Sequence, residues 1–311
     1  MSGVDAALPG WQRDLFARRT LGVRLGLEVV QAAFERLGRP AGSIPAVHVV
    51  GTNGKGSTSA MTAHGLWRAG RRVGLYTSPH LHRVGERVRI DGEPLADEAL
   101  REHVEATQAV EAALPRPLTF FELLTLAAMR AFAAAEVDVL VLEAGLGGRL
   151  DATRIGRAVV TLVTSIGLDH MALLGPNLAA IAREKAAVFA AGAPAFSAIQ
   201  ADTAVVEICA AAARHGVPVT FLPPLARAPA GLPGEHQRQN AALALAALRH
   251  FVPDAAPELF DDARWPGRLE RRALGAGAVI FDVAHNVDGI RALARLLRSA
   301  PATGPRIILF G

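Results

Sequence analysis

The 311-residue chain is 51% hydrophobic and 20% charged, with aromatic residues at only 5%. That composition supports a large core, enough for two domains or one large one, and excludes a disordered chain. The net charge of +4 comes from arginines scattered among acids without a long basic run, which fits acidic small molecules better than nucleic acid.

The first residues include Asp5, Arg13, Asp14, Arg18 and Arg19 and hold no apolar signal core. No apolar run reaches membrane-spanning length, so a cytoplasmic protein without membrane contact is expected. Residues 12–38 carry Leu15, Leu21, Leu25, Val29, Ala33 and Leu37 at helical spacing, and a helix is expected until the prolines at 40 and 45 stop it. A buried strand follows over 47–50, a helix over 58–69, a strand over 73–76, and a short exposed strand or hairpin over 86–91. Helices are expected over 95–114 and 120–135, strands over 137–142 and 158–164, a helix over 178–190, and strands near 193–197 and 218–222. Cys209 excludes an internal disulfide and a cysteine-built metal centre, and it reads as a small buried apolar residue on a helix.

This alternation, with β-branched runs that lack polar positions, defines the expected α/β fold class: a P-loop parallel sheet with helices on both faces. Residues 223–265 are proline-punctuated around one alanine-rich helix beginning near Asn240. Residues 265–268 read as a linker. Beyond it a strand over 278–283, a helix over 289–298 and a strand over 306–310 are expected to start a second, truncated Rossmann-like α/β domain. The expected domains are therefore 1–264 and 265–311, the second incomplete.

Only two of the 33 Lys+Arg residues are lysine, Lys55 and Lys185. Lys55 lies in Gly51-Thr52-Asn53-Gly54-Lys55-Gly56-Ser57, a glycine-rich turn between a strand and a helix start, which wraps backbone N–H groups around phosphate. A compact ammonium suits such a loop better than a planar guanidinium. The general nucleotide loop has Ser or Thr directly after the lysine. Here Gly56 intervenes and Ser57 carries the hydroxyl, so the loop alone does not decide for a nucleotide. Lys185 is either a solvated helix residue or an amine whose pKa falls on burial. Further strands run into Thr77-Ser78-Pro79-His80, Glu143-Ala144-Gly145 and Ser165 with Asp169-His170. An open parallel sheet binds ligands at that carboxyl edge. By themselves, His170 reads as a helix-start histidine and Thr119-Phe120-Phe121-Glu122 as a capped helix start.

Eight segments occur in order: Gly-Thr-Asn-Gly-Lys-Gly-Ser (51–57), Thr-Ser-Pro-His-Leu (77–81), Glu-Ala-Gly-Leu-Gly-Gly-Arg-Leu-Asp-Ala-Thr (143–153), Ser-Ile-Gly-Leu-Asp-His (165–170), Arg-Glu-Lys-Ala (183–186), His-Gln-Arg-Gln-Asn-Ala (236–241), Trp-Pro-Gly-Arg (265–268) and Asp-Val-Ala-His-Asn (282–286). Together they resemble the folylpolyglutamate synthase/dihydrofolate synthase family, within the ATP-dependent Mur-type ligases. The resemblance covers essentially the whole chain, and the family's C-terminal domain continues well beyond residue 311.

The resemblance implies an ATP-driven amide bond between L-glutamate and dihydropteroate or a reduced folate, through an acyl phosphate. It implies that Gly54, Lys55, Gly56 and Ser57 hold the phosphates, and that Asn240, Arg268 and Asp282 contact ATP. It implies two Mg²⁺ sites, one at Ser78 and Glu143 and one between Glu143, His170 and Lys185, with Lys185 carrying CO₂ as a carbamate. Lys55, Glu143, His170 and Lys185 are then the catalytic set. Thr119, Phe120, Phe121 and Glu122, with Leu150, Asp151 and Ala152, match segments that hold a pterin ring. His285 and Asn286 are candidates for placing the glutamate amine. A bifunctional bacterial enzyme, monomeric at full length, is the favoured reading. Two others stay open: a ligase joining an amino acid to a nucleotide-linked sugar, and a truncated fragment that binds nucleotide or pterin without turnover. No uridine-sugar domain precedes residue 45, which counts against the first.

Overall fold

In the computed structural model, residues 8–22, 24, 26–275, 277–299, 304 and 307–309 are described. The N-terminal helix expected over 12–38 is two helices, α1 (Gly10–Ala17) and α2 (Glu28–Arg36), with a single 3₁₀ turn at Arg18–Leu21 after α1. Gly22 and Gly26 sit at φ 67° and 151°, backbone that apolar spacing cannot carry through. Then come β1 (Pro45–Val50), α3 (Lys55–Arg68), β2 (Val73–Tyr76), β3 (Val88–Ile90), β4 (Glu93–Pro94), α4 (Asp97–Gln108) and α5 (Phe120–Ala134). β5 (Val139–Glu143), β6 (Arg157–Val163), α6 (Met171–Leu174), α7 (Leu178–Ala186), β7 (Ala195–Ala198), α8 (Asp202–His215) and β8 (Val219–Leu222) follow. The chain goes on through α9 (Glu235–Phe251), β9 (Glu270–Leu274), β10 (Gly277–Phe281) and α10 (Val287–Ser299).

Eight strands form one sheet in the order β4-β3-β2-β5-β1-β6-β7-β8. From β2 to β8 every pairing is parallel; β3 and β4 join antiparallel at one edge. The sheet is thus mixed, not wholly parallel. Period-2 side-chain alternation divides β1 between the two faces of the sheet. Val47 and Val49 pack with α3 and α9, whereas Ala46 packs beneath α1, α2, α4 and α5. Val50 and Val163 lie in a third cluster under α7 and α8. Helices therefore cover both faces, as parallel strands require.

α9 begins at Glu235, five residues before Asn240, directly after Gly234 at φ 118°. Its Leu243 and Leu248 share a core with Leu66 of α3, which ties residues 235–251 to the first domain.

The C-terminal segment differs from the expected strand–helix–strand unit. β10 pairs antiparallel with β9 as a hairpin, and α10 follows. Residues 307–309 carry no strand, and Arg306 and Phe310 lie outside the described residues. Cys209 is exposed, not buried; α8 turns Ala204, Ile208, Ala211 and Ala212 inward instead.

Candidate active site

The register brings the ends of the central strands level. Val49 pairs with Glu143 and Tyr76 with Leu142, so the phosphate loop, Thr77-Ser78 and Glu143 share one edge. Two loop glycines are required by geometry. A Cβ on Gly51 (φ 144°) would lie 1.9 Å from Thr164 Oγ1, and one on Gly54 (φ 94°) would lie 2.3 Å from Asn240 Oδ1. Gly54 turns the chain so that α3 starts at Lys55, three residues before the expected start, and the loop's first N–H groups open at a helix N-terminus.

Both lysines converge on this loop. Lys55 Nζ donates to the carbonyls of Gly51 (3.2 Å) and Thr52 (3.1 Å). Lys185 Nζ donates to Gly51 O at 2.7 Å. Lys185 is 4% exposed, which overturns its reading as a solvated helix residue. Burial, and secondarily the Lys55 charge, push its pKa down to about 7. Glu143 is equally buried, and its Oε2 accepts from Ser78 N at 3.1 Å. Desolvation holds its pKa above the usual carboxylate range despite Lys55 and Arg268 nearby.

A cavity of about 490 Å³ opens over these groups. Its wall includes Gly54, Lys55, Gly56, Ser78, Glu143, His170, Lys185 and Arg268, and on its other side Thr119, Phe120, Phe121, Glu122, Leu150, Asp151, Ala152 and His285. A second cavity of about 450 Å³ is lined by Gly54, Ser57, Asn240, Arg268, Asp282 and His285. Asn53, Gly54, Arg268 and His285 line both, so the two spaces adjoin across the phosphate loop.

Several expected contact residues are committed to the protein itself. Glu122 closes a capping box with Thr119 and takes both guanidinium nitrogens of Arg116 at 2.8 Å. Its carboxylate is therefore occupied, which counts against it as a partner for ring N–H groups. Asp151 accepts from the N–H groups of Gly145 (2.9 Å), Leu146 (3.0 Å) and Thr153 (2.9 Å) and from the Thr153 hydroxyl. Behind it, His48 Nε2 lies 2.7 Å from Thr153 Oγ1. Burial brings the His48 pKa down to about 3, so the neutral ring donates and the hydroxyl passes its proton side to Asp151. Asp282 accepts from Leu269 N and Ala284 N, one on each oxygen. Asn286 does not line either cavity; it exchanges amide hydrogen bonds with Asn53 (3.1 and 2.9 Å) and donates to Asp169 at 3.0 Å. That makes it a pin between the phosphate loop and the C-terminal segment.

Sequence reasoning missed other participants. Gln237 links Asn240 to the Ser57 hydroxyl at 2.9 and 3.2 Å. Trp265 covers Gly56, whose added Cβ would come 3.0 Å from Trp265 Nε1, and Arg89 lies 4.9 Å over the same ring. Arg19 and Arg87 line the larger cavity. The His-Gln-Arg-Gln-Asn segment at 236–240 was the available signal for Gln237; nothing local marked Arg19.

No three His, Cys, Asp or Glu side chains converge as a ready-made metal site among the described residues. The donor set inferred for Mg²⁺ has only Glu143 and His170 of those types and relies on Ser78 and a modified Lys185 for the rest. A buried carboxylate facing the cavity and accepting from one backbone N–H fits a hard cation. His170 heads α6 at φ 50°, half exposed.

A Mur-type ligase is the class that this sheet edge and lysine loop define, and residues 49–228 match the Mur ligase middle domain. More narrowly, a dihydrofolate synthase/folylpolyglutamate synthase of Bacillus subtilis is 35% identical over 95% of this chain and 77% of its own length. An Escherichia coli FolC structure in complex with DHPP and ADP superposes with TM-score 0.84 and 35% identity, covering 96% of this chain and 76% of that one. An FPGS–AMPPCP–folate complex superposes with TM-score 0.83 and 29% identity, over 94% and 82%. The chain belongs to the folylpolyglutamate synthase/dihydrofolate synthase family. No helix among the described residues is long and apolar enough to cross a membrane.

Proposed function

We propose that this chain ligates L-glutamate to dihydropteroate, to a reduced folate, or to both, driven by ATP. The observation that carries the reading is that one cavity joins the lysine loop, the buried Glu143 and an aromatic wall large enough for a flat heterocycle. The γ-phosphoryl of ATP moves to a carboxylate of the acceptor as its bond to ADP breaks. The glutamate amine then forms the C–N bond, phosphate leaves with the C–O electron pair, and the amine loses a proton. Such chemistry is mainly positioning and charge neutralisation.

Lys55 and the N–H groups of residues 54–57 hold the phosphates, and Arg268 adds a charge from the side shared by the two cavities. Asn240, tied through Gln237 to Ser57, and Asp282 bound the nucleotide side. Phe120 or Phe121, with Thr119, Leu150 and Ala152, frame the acceptor; Asp151 shapes that wall by holding the Gly145–Leu146 backbone. His285 lies where the cavities meet, in reach of the incoming amine.

Mg²⁺ held by Ser78, Glu143, His170 and a carbamylated Lys185 would supply neutralisation of the phosphate charge. Lys185 suits that modification: near neutral pH much of its amine is uncharged, the form that adds CO₂. Residues 1–264 form the ATP- and folate-binding unit in this reading, and 265–311 begin a Rossmann-like glutamate-ligase domain.

The test is phosphate release from ATP in the presence of L-glutamate with dihydropteroate or tetrahydrofolate, with product identified by mass. Release that instead requires a nucleotide-linked sugar, or none with any acceptor, overturns the proposal.

A further inference from the structure

Beside the aromatic wall, Arg19, His80 and Arg87 form a cationic corner that the chemistry above does not use. Arg87 Nε donates to His80 Nδ1 at 2.8 Å. A guanidinium nitrogen can only donate, so Nδ1 is the acceptor and the ring carries its proton on Nε2. Arg19 Nη2 lies 3.5 Å from that same Nε2. Two donors therefore face each other with no acceptor between them. Both arginines also lie 5.0 Å from the Phe120 centroid, and Arg19 lies 4.3 Å from that of Phe16. Neither makes an ion pair among the described residues; Glu143 is near enough to Arg87 to be felt but not to pair. Arg87 and the loop that follows His80 are held in place. Arg87 is 7% exposed, and Glu86 fixes the loop after His80 by accepting from the N–H groups of Leu81, His82 and Arg83 at 2.8, 3.1 and 2.9 Å.

Such a corner wants a carboxylate or similar anion, which satisfies the His80 N–H and both guanidinium groups at once. It does not belong to ATP: Arg19 and Arg87 line the cavity that contains Phe120 and are absent from the one lined by Ser57, Asn240 and Asp282. Dihydropteroate has one carboxylate, the reacting one, which must meet the γ-phosphoryl. An acceptor that already carries glutamate has a spare one.

We propose that Arg19, His80 and Arg87 form a subsite for the non-reacting carboxylate of a glutamylated folate, which favours such acceptors over pteroate-type ones. This rests on the ligation reading above. The test measures binding of tetrahydrofolate and of pteroate by calorimetry, with an ATP analogue present, in the wild type, Arg19→Gln and Arg19→Lys. Arg19 is exposed, so neither variant threatens the fold. Loss of one charge-assisted bond predicts that Arg19→Gln weakens tetrahydrofolate about tenfold more than pteroate. Arg19→Lys should recover part of that loss. Equal weakening of the two ligands overturns the subsite while leaving the ligation reading intact. A selective rise in the KM for L-glutamate also overturns it, by assigning the corner to the incoming amino acid. Wild-type protein that binds neither ligand overturns both.

Discussion

Replacing Lys185 with methionine removes a buried amine and leaves its apolar stem. The amine is held against the Gly51 carbonyl at 2.7 Å, and its pKa is brought from 10.5 down to about 7 by desolvation first and the Lys55 charge second. The folded state thus binds this proton more weakly than the unfolded chain. Below pH 7 both states are protonated and the whole burial cost is present. Between pH 7 and 10.5 the unfolded chain keeps a proton that the native state has released, so stability rises with pH. From the 1.36 kcal/mol carried by each pKa unit, the wild type gains roughly 3 kcal/mol between pH 6 and pH 9 from this group. Lys185→Met has no such dependence. In CO₂-free buffer, urea unfolding should find the variant more stable than wild type at pH 6, with the difference shrinking by that amount at pH 9. A difference that is the same at both pH values refutes the desolvated amine. The same pKa fixes reactivity: at pH 7 about half of Lys185 is neutral, against roughly one part in 3,000 for an ordinary lysine. ¹³C-bicarbonate should therefore give a carbamate signal that disappears in Lys185→Met.

Other outcomes follow from neighbouring groups. Glu143 has its pKa raised by burial, so its ionised form costs stability that is absent at low pH; Glu143→Gln should unfold later in urea at pH 8 and lose turnover about a hundredfold. Gly51→Ala sets a Cβ 1.9 Å from Thr164 Oγ1 at φ 144°; it should cost about 3 kcal/mol by urea denaturation, and Gly51→Ala with Thr164→Ala should recover only part, because the strained φ remains. Thr153→Val leaves His48 and one oxygen of Asp151 without their shared hydroxyl, a loss of about 2 kcal/mol in thermal unfolding that Thr153→Ser should restore.

The strand ends that line the cavity were legible because their signals are chemical and local. A run of β-branched residues ending in glycines, a lone lysine or a carboxylate announces both strand and strand end. What failed did so for physical reasons. The leucine spacing of residues 12–38 continues through Gly22 and Gly26, so periodicity hid a break that backbone torsion imposes. β9 is Glu-Arg-Arg-Ala-Leu, almost wholly exposed, and a strand without a buried face has no alternation to read. α8 is alanine-rich all round, which conceals its inward face and misplaced Cys209. Residue identity also does not reveal whether a polar atom is free. Glu122, Asp151 and Asp282 each stand at the cavities, yet their oxygens are spent on N–H groups or Arg116.

The Gly51 carbonyl explains why the two lysines belong together. It accepts from Lys185 at 2.7 Å and from Lys55 at 3.2 Å, so the two lysine side chains share one oxygen. Lys55 is one of the named causes that lower the Lys185 pKa. In the proposed function, phosphate would draw Lys55 outward to an anion, and a carbamate on Lys185 would reverse that residue's sign. Either event would remove the repulsion between the two ammonium groups, so the first to occur leaves less of it for the second to relieve. An arginine at 185 retains its charge under all conditions and cannot take part. That is a physical reason for a chain that otherwise uses arginine to keep lysine at both ends of this carbonyl.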